Sequence, residues 1–211
     1  METITIFIDA EYLLQSLREL KDSEKSIPKD NFDFAKFIDF LLNGRKINSV
    51  YYYTARLDKN ENPKTFDEQT EFLNNIKNSL NAYNVNIRLG QMIKTKIKNQ
   101  STWNKYRKAE KKKDTYTWIQ KGVDTRIVLD MCKYAYTDNA ENNACAILVS
   151  GDEDFEDILA FLKEKNFSVE LFTFDRRRSR PSKSLIRVVD KHITLNKQIL
   201  VENKIVACKE K

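Results

Sequence analysis

Four aspartates stand where a carboxylate can do more than solvate a surface. Asp9 closes an apolar run, Thr3 to Ile8. Asp152 and Asp154 follow a second apolar run, Ala144 to Val149, after Ser150-Gly151. Asp124 opens a helical pattern after Lys121-Gly122-Val123. If the two runs are parallel strands, all four acids gather at the carboxyl edge of one sheet, where open α/β folds bind their ligands. Carboxylates crowded into low dielectric repel one another, and a bound cation relieves the repulsion. Oxygen ligands of this kind suit Mg²⁺ or Mn²⁺. Such an ion activates water and stabilises charge on a phosphoryl oxygen. The expected chemistry is therefore phosphodiester hydrolysis. Asp9, Asp152 and Asp154 are expected around the main ion, with Asp124 completing the cage or holding a second ion about 4 Å away.

Each acid also has a plainer reading. Asp9 and Asp152 are good helix N-caps, and Asp124 and Asp154 answer a helix dipole from the first turn. The common edge favours a shared site, because four caps need not converge. Lys121 suits either a scissile phosphate or a solvated helix start. Ser150 suits either phosphate contact or a turn cap. Asp130 falls on the apolar stripe of its helix, so it must be paired if buried. Support behind the site and a satisfied structural acid are both open to it.

The elements that must place these residues alternate. Strand patterns at Thr3–Ile8, Ile47–Thr54, Val85–Ile93, Ala144–Val149, Ser168–Phe174 and His192–Leu195 are separated by helical ones. The helices are expected at 12–20, 32–42, 64–82, 122–136, 153–165 and 183–189. Such alternation predicts an α/β fold, a Rossmann-like α/β/α sandwich on a mainly parallel sheet. One domain is expected over residues 1–196, with a polar, basic insertion at about 94–118 and a tail at 197–211. Ile199, Leu200, Ile205 and Val206 in that tail offer an apolar surface to a homodimer.

The net charge of +6 favours a polyanionic partner. Lys111, Lys112 and Lys113 lie in the insertion beside Trp103, Tyr106, Tyr116 and Trp118. Basic groups meet phosphates while aromatic rings stack on unpaired bases, a mixture suited to single-stranded or looped RNA. The duller alternative is solvating lysines on an excursion that its aromatics pack down. Arg176 and Arg177 form a second basic patch after a strand. Four glycines, at 44, 90, 122 and 151, cannot build a Gly-rich phosphate loop. No apolar run is long enough to span a membrane. Cys132, Cys145 and Cys208 lack metal-ligand spacing and read as reduced thiols, so a cytoplasmic protein is expected.

Phe7-Ile8-Asp9, Lys121-Gly122-Val123-Asp124 and Val149-Ser150-Gly151-Asp152-Glu153-Asp154-Phe155, with the closing stretch Ser184 to Leu195, resemble the NYN domain. That family belongs to the PIN-like nucleases and includes a LabA-like bacterial group. The resemblance covers about residues 3–195 and implies a Mg²⁺- or Mn²⁺-dependent ribonuclease. Its acidic positions fall on Asp9, Asp124, Asp152 and Asp154. Many members carry Asn three residues after the first aspartate, a substrate or ligand-ordering position that is Tyr12 here. Two other functions remain open: a weakly active or inactive RNA- or protein-binding NYN module, and a phosphotransferase with an aspartyl nucleophile. The last needs a second Asp two residues after the first, where this chain has Glu11.

Overall fold

Strand β5 (Ala144–Val149) is buried at every residue, and β1 (Thr3–Asp9) at all but its first. Strands covered on both faces read as unbroken apolar runs, which is the central position of a parallel sheet. The computed structural model describes residues 2–23, 32–96, 116–136, 143–175 and 181–206. The remaining strands are β2 (Lys46–Arg56), β3 (Val85–Lys96), β4 (Tyr116–Lys121), β6 (Ser168–Phe174) and β7 (Lys191–Leu195). They form one seven-stranded sheet in the order β4-β3-β2-β1-β5-β6-β7. Every pairing is parallel except the edge pair β3–β4.

Alternation along the strands makes two cores. Ile4, Ile6 and Ile8 of β1 join Cys145, Ile147 and Val149 of β5 on one face. That face is covered by α1 (Ala10–Ser23), α2 (Phe34–Leu42), α3 (Pro63–Ser79) and α7 (Lys197–Glu202). Phe7, Ala144, Ala146 and Leu148 face the other way, beneath α4 (Val123–Ala135), α5 (Glu156–Glu164) and α6 (Lys183–Arg187). The result is the expected three-layer α/β/α sandwich.

Several boundaries differ from the sequence expectation for local reasons. Helix α2 starts at Phe34 because Asp33 caps it, its carboxylate accepting from Lys36 N–H. Phe32 instead bridges to Val206. The helix after β5 opens as a 3-10 turn, Glu153–Phe155, before α5. The basic excursion has strand stems: β3 runs on to Lys96 and pairs with β4 as a hairpin. The tail's apolar positions are largely used within the chain: Leu200, Ile205 and Val206 are buried in its own core, and the partly buried Ile199 packs against it.

Two features place the site. After β1 the chain builds β2 and β3 on one side, then returns to lay β5 on the other. This reversal opens a crevice at the carboxyl ends of β1 and β5. Opposite it, β3 and β4 continue past Arg56, the last residue of β2, so their hairpin overhangs the same edge.

Candidate metal and nucleic-acid site

Asp9 ends β1 and caps α1. Its Oδ1 accepts from Tyr12 N–H at 3.1 Å, and its Oδ2 from the Ser150 hydroxyl at 3.1 Å. Ser150 Oγ in turn accepts from Asp152 N–H at 3.3 Å. Asp152 Oδ1 accepts from Asp154 N–H at 3.1 Å, which caps the 3-10 turn. Capping and site-building are therefore done by the same carboxylates. The chain of bonds ties the β1 and β5 ends together and fixes the orientation of Asp9.

Around this chain lies a pocket of about 560 Å³ lined by Asp9, Glu11, Tyr12, Gln15, Gln120, Asp124, Gly151, Asp152, Glu153 and Ser182. Burial raises the Asp9 pKa to about 6, against the lowering effect of its two hydrogen bonds, and the charges of Asp124 and Asp152 push the same way as burial. The Asp124 pKa is also raised, by burial first and then by Asp152 and Asp154. Among the described residues, no Lys or Arg lines the pocket.

Of the four aspartates, Asp9, Asp124 and Asp152 line one pocket. Asp154 lies outside that lining and acts on it through its N–H bond to Asp152 and its charge on Asp124. Among the described residues, no three acidic, His or Cys side chains stand together as a ready-made ion cage. The donor set nevertheless fits a hard cation: oxygen donors only, partly dehydrated, mutually repelling. The buried Tyr52 hydroxyl has no hydrogen-bond partner among the described residues, and its pKa is pushed up by burial and then by the charges of Asp9 and Glu11, but Tyr52 does not line the pocket.

Of the two readings open to Ser150, the structure matches the turn cap. It is fully buried, its hydroxyl donates to Asp9 and its oxygen accepts from the Asp152 N–H. Tyr12 lines the pocket with its ring, while its hydroxyl accepts from Phe174 N–H at 2.8 Å. Gly151 exists for that ring: a Cβ there would come within 2.7 Å of it. Gly122 answers a turn instead, with φ +78 at the start of α4.

Lys121 ends β4, exposed and outside the lining. Asp130 receives two bonds from Arg88, at 2.8 and 3.0 Å, and one from Tyr53 at 3.2 Å. These contacts pin α4 to the sheet, and Asp130 does not line the pocket. Lys111, Lys112, Lys113, Arg176 and Arg177 lie outside the described residues.

The sequence reading missed Gln15, Gln120, Glu153 and Ser182 as lining residues, and took Glu11 only as a failed second Asp. Glu11 is held by Gln15 of its own helix and by Gln120 of β4, at 2.8 Å in the second case. The spacing Asp9-x-Glu11 was the available signal. Nothing local in the sequence points from Gln120 to α1.

With this geometry in place, the wider comparison is informative. The NYN domain pattern matches residues 3–196. The chain belongs to the NYN domain family. Among curated proteins, no sequence matches it. A crystal structure of a protein of unknown function, VPA0982 from Vibrio parahaemolyticus RIMD 2210633, is similar in fold, with a TM-score of 0.54 and 19% identity over 98% of this chain and 96% of that one. In this NYN domain, three of the four motif aspartates share the pocket at the sheet's switch point. No helix among the described residues is long and apolar enough to cross a membrane.

Proposed function

We propose that this NYN domain is a metal-dependent ribonuclease that hydrolyses RNA phosphodiester bonds with a carboxylate-bound Mg²⁺ or Mn²⁺. The observation that carries the reading is Asp9: a buried carboxylate, raised to about 6, facing Asp124 and Asp152 in one pocket without a basic partner among the described residues. Asp9, Asp124 and Asp152 would hold the ion, and Asp154 stands close enough to add charge. A divalent ion bound there activates water for attack on phosphorus and steadies the charge on the phosphoryl oxygens.

The chain's own part is orientation. Tyr12 N–H and the Ser150 hydroxyl hold Asp9 so that its two oxygens cannot rotate freely. Glu11 and Glu153 extend the acidic wall of the pocket, which repels phosphate unless a cation intervenes. These charges support a metal-dependent reaction. RNA as the substrate class rests on the family, and a cytoplasmic setting on the reading of the cysteines as reduced thiols.

Asp152→Asn is the test. Asn keeps an oxygen to accept Asp154 N–H, so the 3-10 turn survives. Mn²⁺-dependent cleavage of a looped RNA is expected to be abolished while the circular dichroism spectrum is unchanged. Undiminished cleavage removes Asp152 from the reaction. A second reading, a binding module with little or no cleavage, is favoured by Tyr12, which stands where many family members carry Asn and whose hydroxyl accepts from the Phe174 N–H. RNA binding without cleavage in either protein would select it.

A further inference from the structure

The β3–β4 hairpin carries more than one residue toward the pocket. In an antiparallel pair, residues directly opposite share a face, and so do residues two apart on one strand. Met92 lies opposite Gln120, Lys94 opposite Trp118, and Lys96 opposite Tyr116. Gln120 is the residue that lines the pocket and bonds Glu11. Trp118 and Tyr116 therefore continue the same face away from the carboxylates, in steps of about 7 Å.

Both rings are open to solvent, Trp118 at 40% and Tyr116 at 50% exposure. The Lys94 ammonium lies 5.8 Å from the Trp118 ring centre and 5.6 Å from that of Tyr116. Glu61 steadies this lysine with an ion pair of 3.0 Å. A cation set between two exposed rings matches a strand whose bases stack and whose phosphate passes between them. A regular duplex buries its base faces and offers nothing to such rings.

We infer that the hairpin face Gln120–Trp118–Tyr116, with Lys94 and Lys96, is the track along which an unpaired RNA strand leaves the carboxylate pocket, its successive bases stacking on Trp118 and Tyr116. The inference rests on the ribonuclease reading for the choice of RNA. It assigns binding energy to residues outside the acidic motifs. Charge complementarity supports the occupant: the pocket itself is acidic, so the strand's phosphates need the lysines beside it.

The experiment measures binding of a short labelled oligouridine in EDTA, where no turnover occurs. Trp118→Ala is expected to weaken binding about tenfold, and Tyr116→Ala somewhat less. Trp118→Phe restores most of the affinity because the ring face is kept. Neither ring variant changes the salt slope, whereas Lys94→Gln flattens it by about 0.7. Unchanged melting temperatures exclude a folding effect, and should Trp118→Ala melt early, Trp118→Phe and Lys94→Gln still decide. Wild-type affinity in the alanine variants overturns the track. So does equal loss on a blunt duplex, or no oligouridine binding by the native protein, which would leave the rings to a protein partner. Because the readout excludes cleavage, an inactive protein that still needs Trp118 for binding refutes the ribonuclease reading and keeps the track.

Discussion

Asp9 and Glu170 are almost equally buried, at 8% and 5% exposure, yet the fold treats them oppositely. Glu170, on β6, receives a two-pronged bond from Arg45 at 2.7 and 3.0 Å, and the same guanidinium reaches Glu2 at 2.8 Å. Asp130, at 7%, has Arg88 in the same manner. Asp9 has one backbone N–H, one hydroxyl and two neighbouring carboxylates. The chain thus supplies arginines to buried acids where stability is at stake. Among the described residues none lines the pocket at the carboxyl edge of β1 and β5, where we propose that a cation is received. The contrast distinguishes these buried acids more sharply than burial does.

The largest way to strain this contrast is at the paired end. Arg45→Met leaves the buried Glu170 charge with only Lys191, 3.8 Å away, and is expected to cost about 3–5 kcal/mol in urea unfolding. Adding Glu170→Met should recover most of the loss, because a packed apolar pair replaces a buried ionic one. A double variant as unstable as the single would show that Arg45 matters through its bonds to the Leu41 and Leu42 carbonyls instead.

The unpaired end should respond with the opposite sign. Asp9→Asn is expected to stabilise the metal-free protein by on the order of 2–3 kcal/mol at neutral pH. The folded pKa, about 6, lies above the ordinary 3.8. An acid raised in the folded state carries no penalty below its unfolded pKa. The penalty grows as pH rises through that interval and is complete above about 6. Wild type in EDTA should therefore lose ground to the variant between pH 4 and 6 in thermal melts. Parallel pH curves would mean that Asp9 is compensated after all.

The smallest effect belongs to a surface acid. Burial is the largest single influence on the Asp190 carboxyl and raises its pKa, but the bonds from Lys163 and the Val169 N–H together outweigh it and hold the pKa below its usual range, with the carboxylate still substantially exposed. Its contribution is present above the ordinary pKa and lost as pH falls through the lowered one. Asp190→Asn should cost less than about 1 kcal/mol at neutral pH, shrinking in acid. A larger loss would place this pair with the buried ones.

Much of the framework was legible because burial on both faces leaves a plain record. Ala144–Val149 and Ser168–Phe174 fall where their apolar runs predicted, and Asn43-Gly44 stops α2 with both residues at positive φ. The meeting of Asp9 and Asp152 followed from strand ends on a parallel sheet, whereas Asp124 arrives after the antiparallel β4, whose Lys121 pairs with Gln91. Three things escaped. Gln120 reaches the pocket only because the hairpin overhangs the edge, a tertiary fact with no local signature. Ser150 reads equally as phosphate contact or turn cap, and only the bond to Asp9 across two strands decides between them. The apolar positions of residues 199–206 give no sign of whether their partner is another chain or the domain's own core.

The claim that carries the most weight is that the unpaired acids are arranged for a divalent cation. A Mn²⁺ titration followed by electron paramagnetic resonance tests it without reference to activity. Wild type should take up Mn²⁺, and Asp9→Asn, Asp124→Asn and Asp152→Asn should each weaken that uptake by about tenfold or more. Equal Mn²⁺ binding in all four proteins, or none in the wild type, would contradict the account.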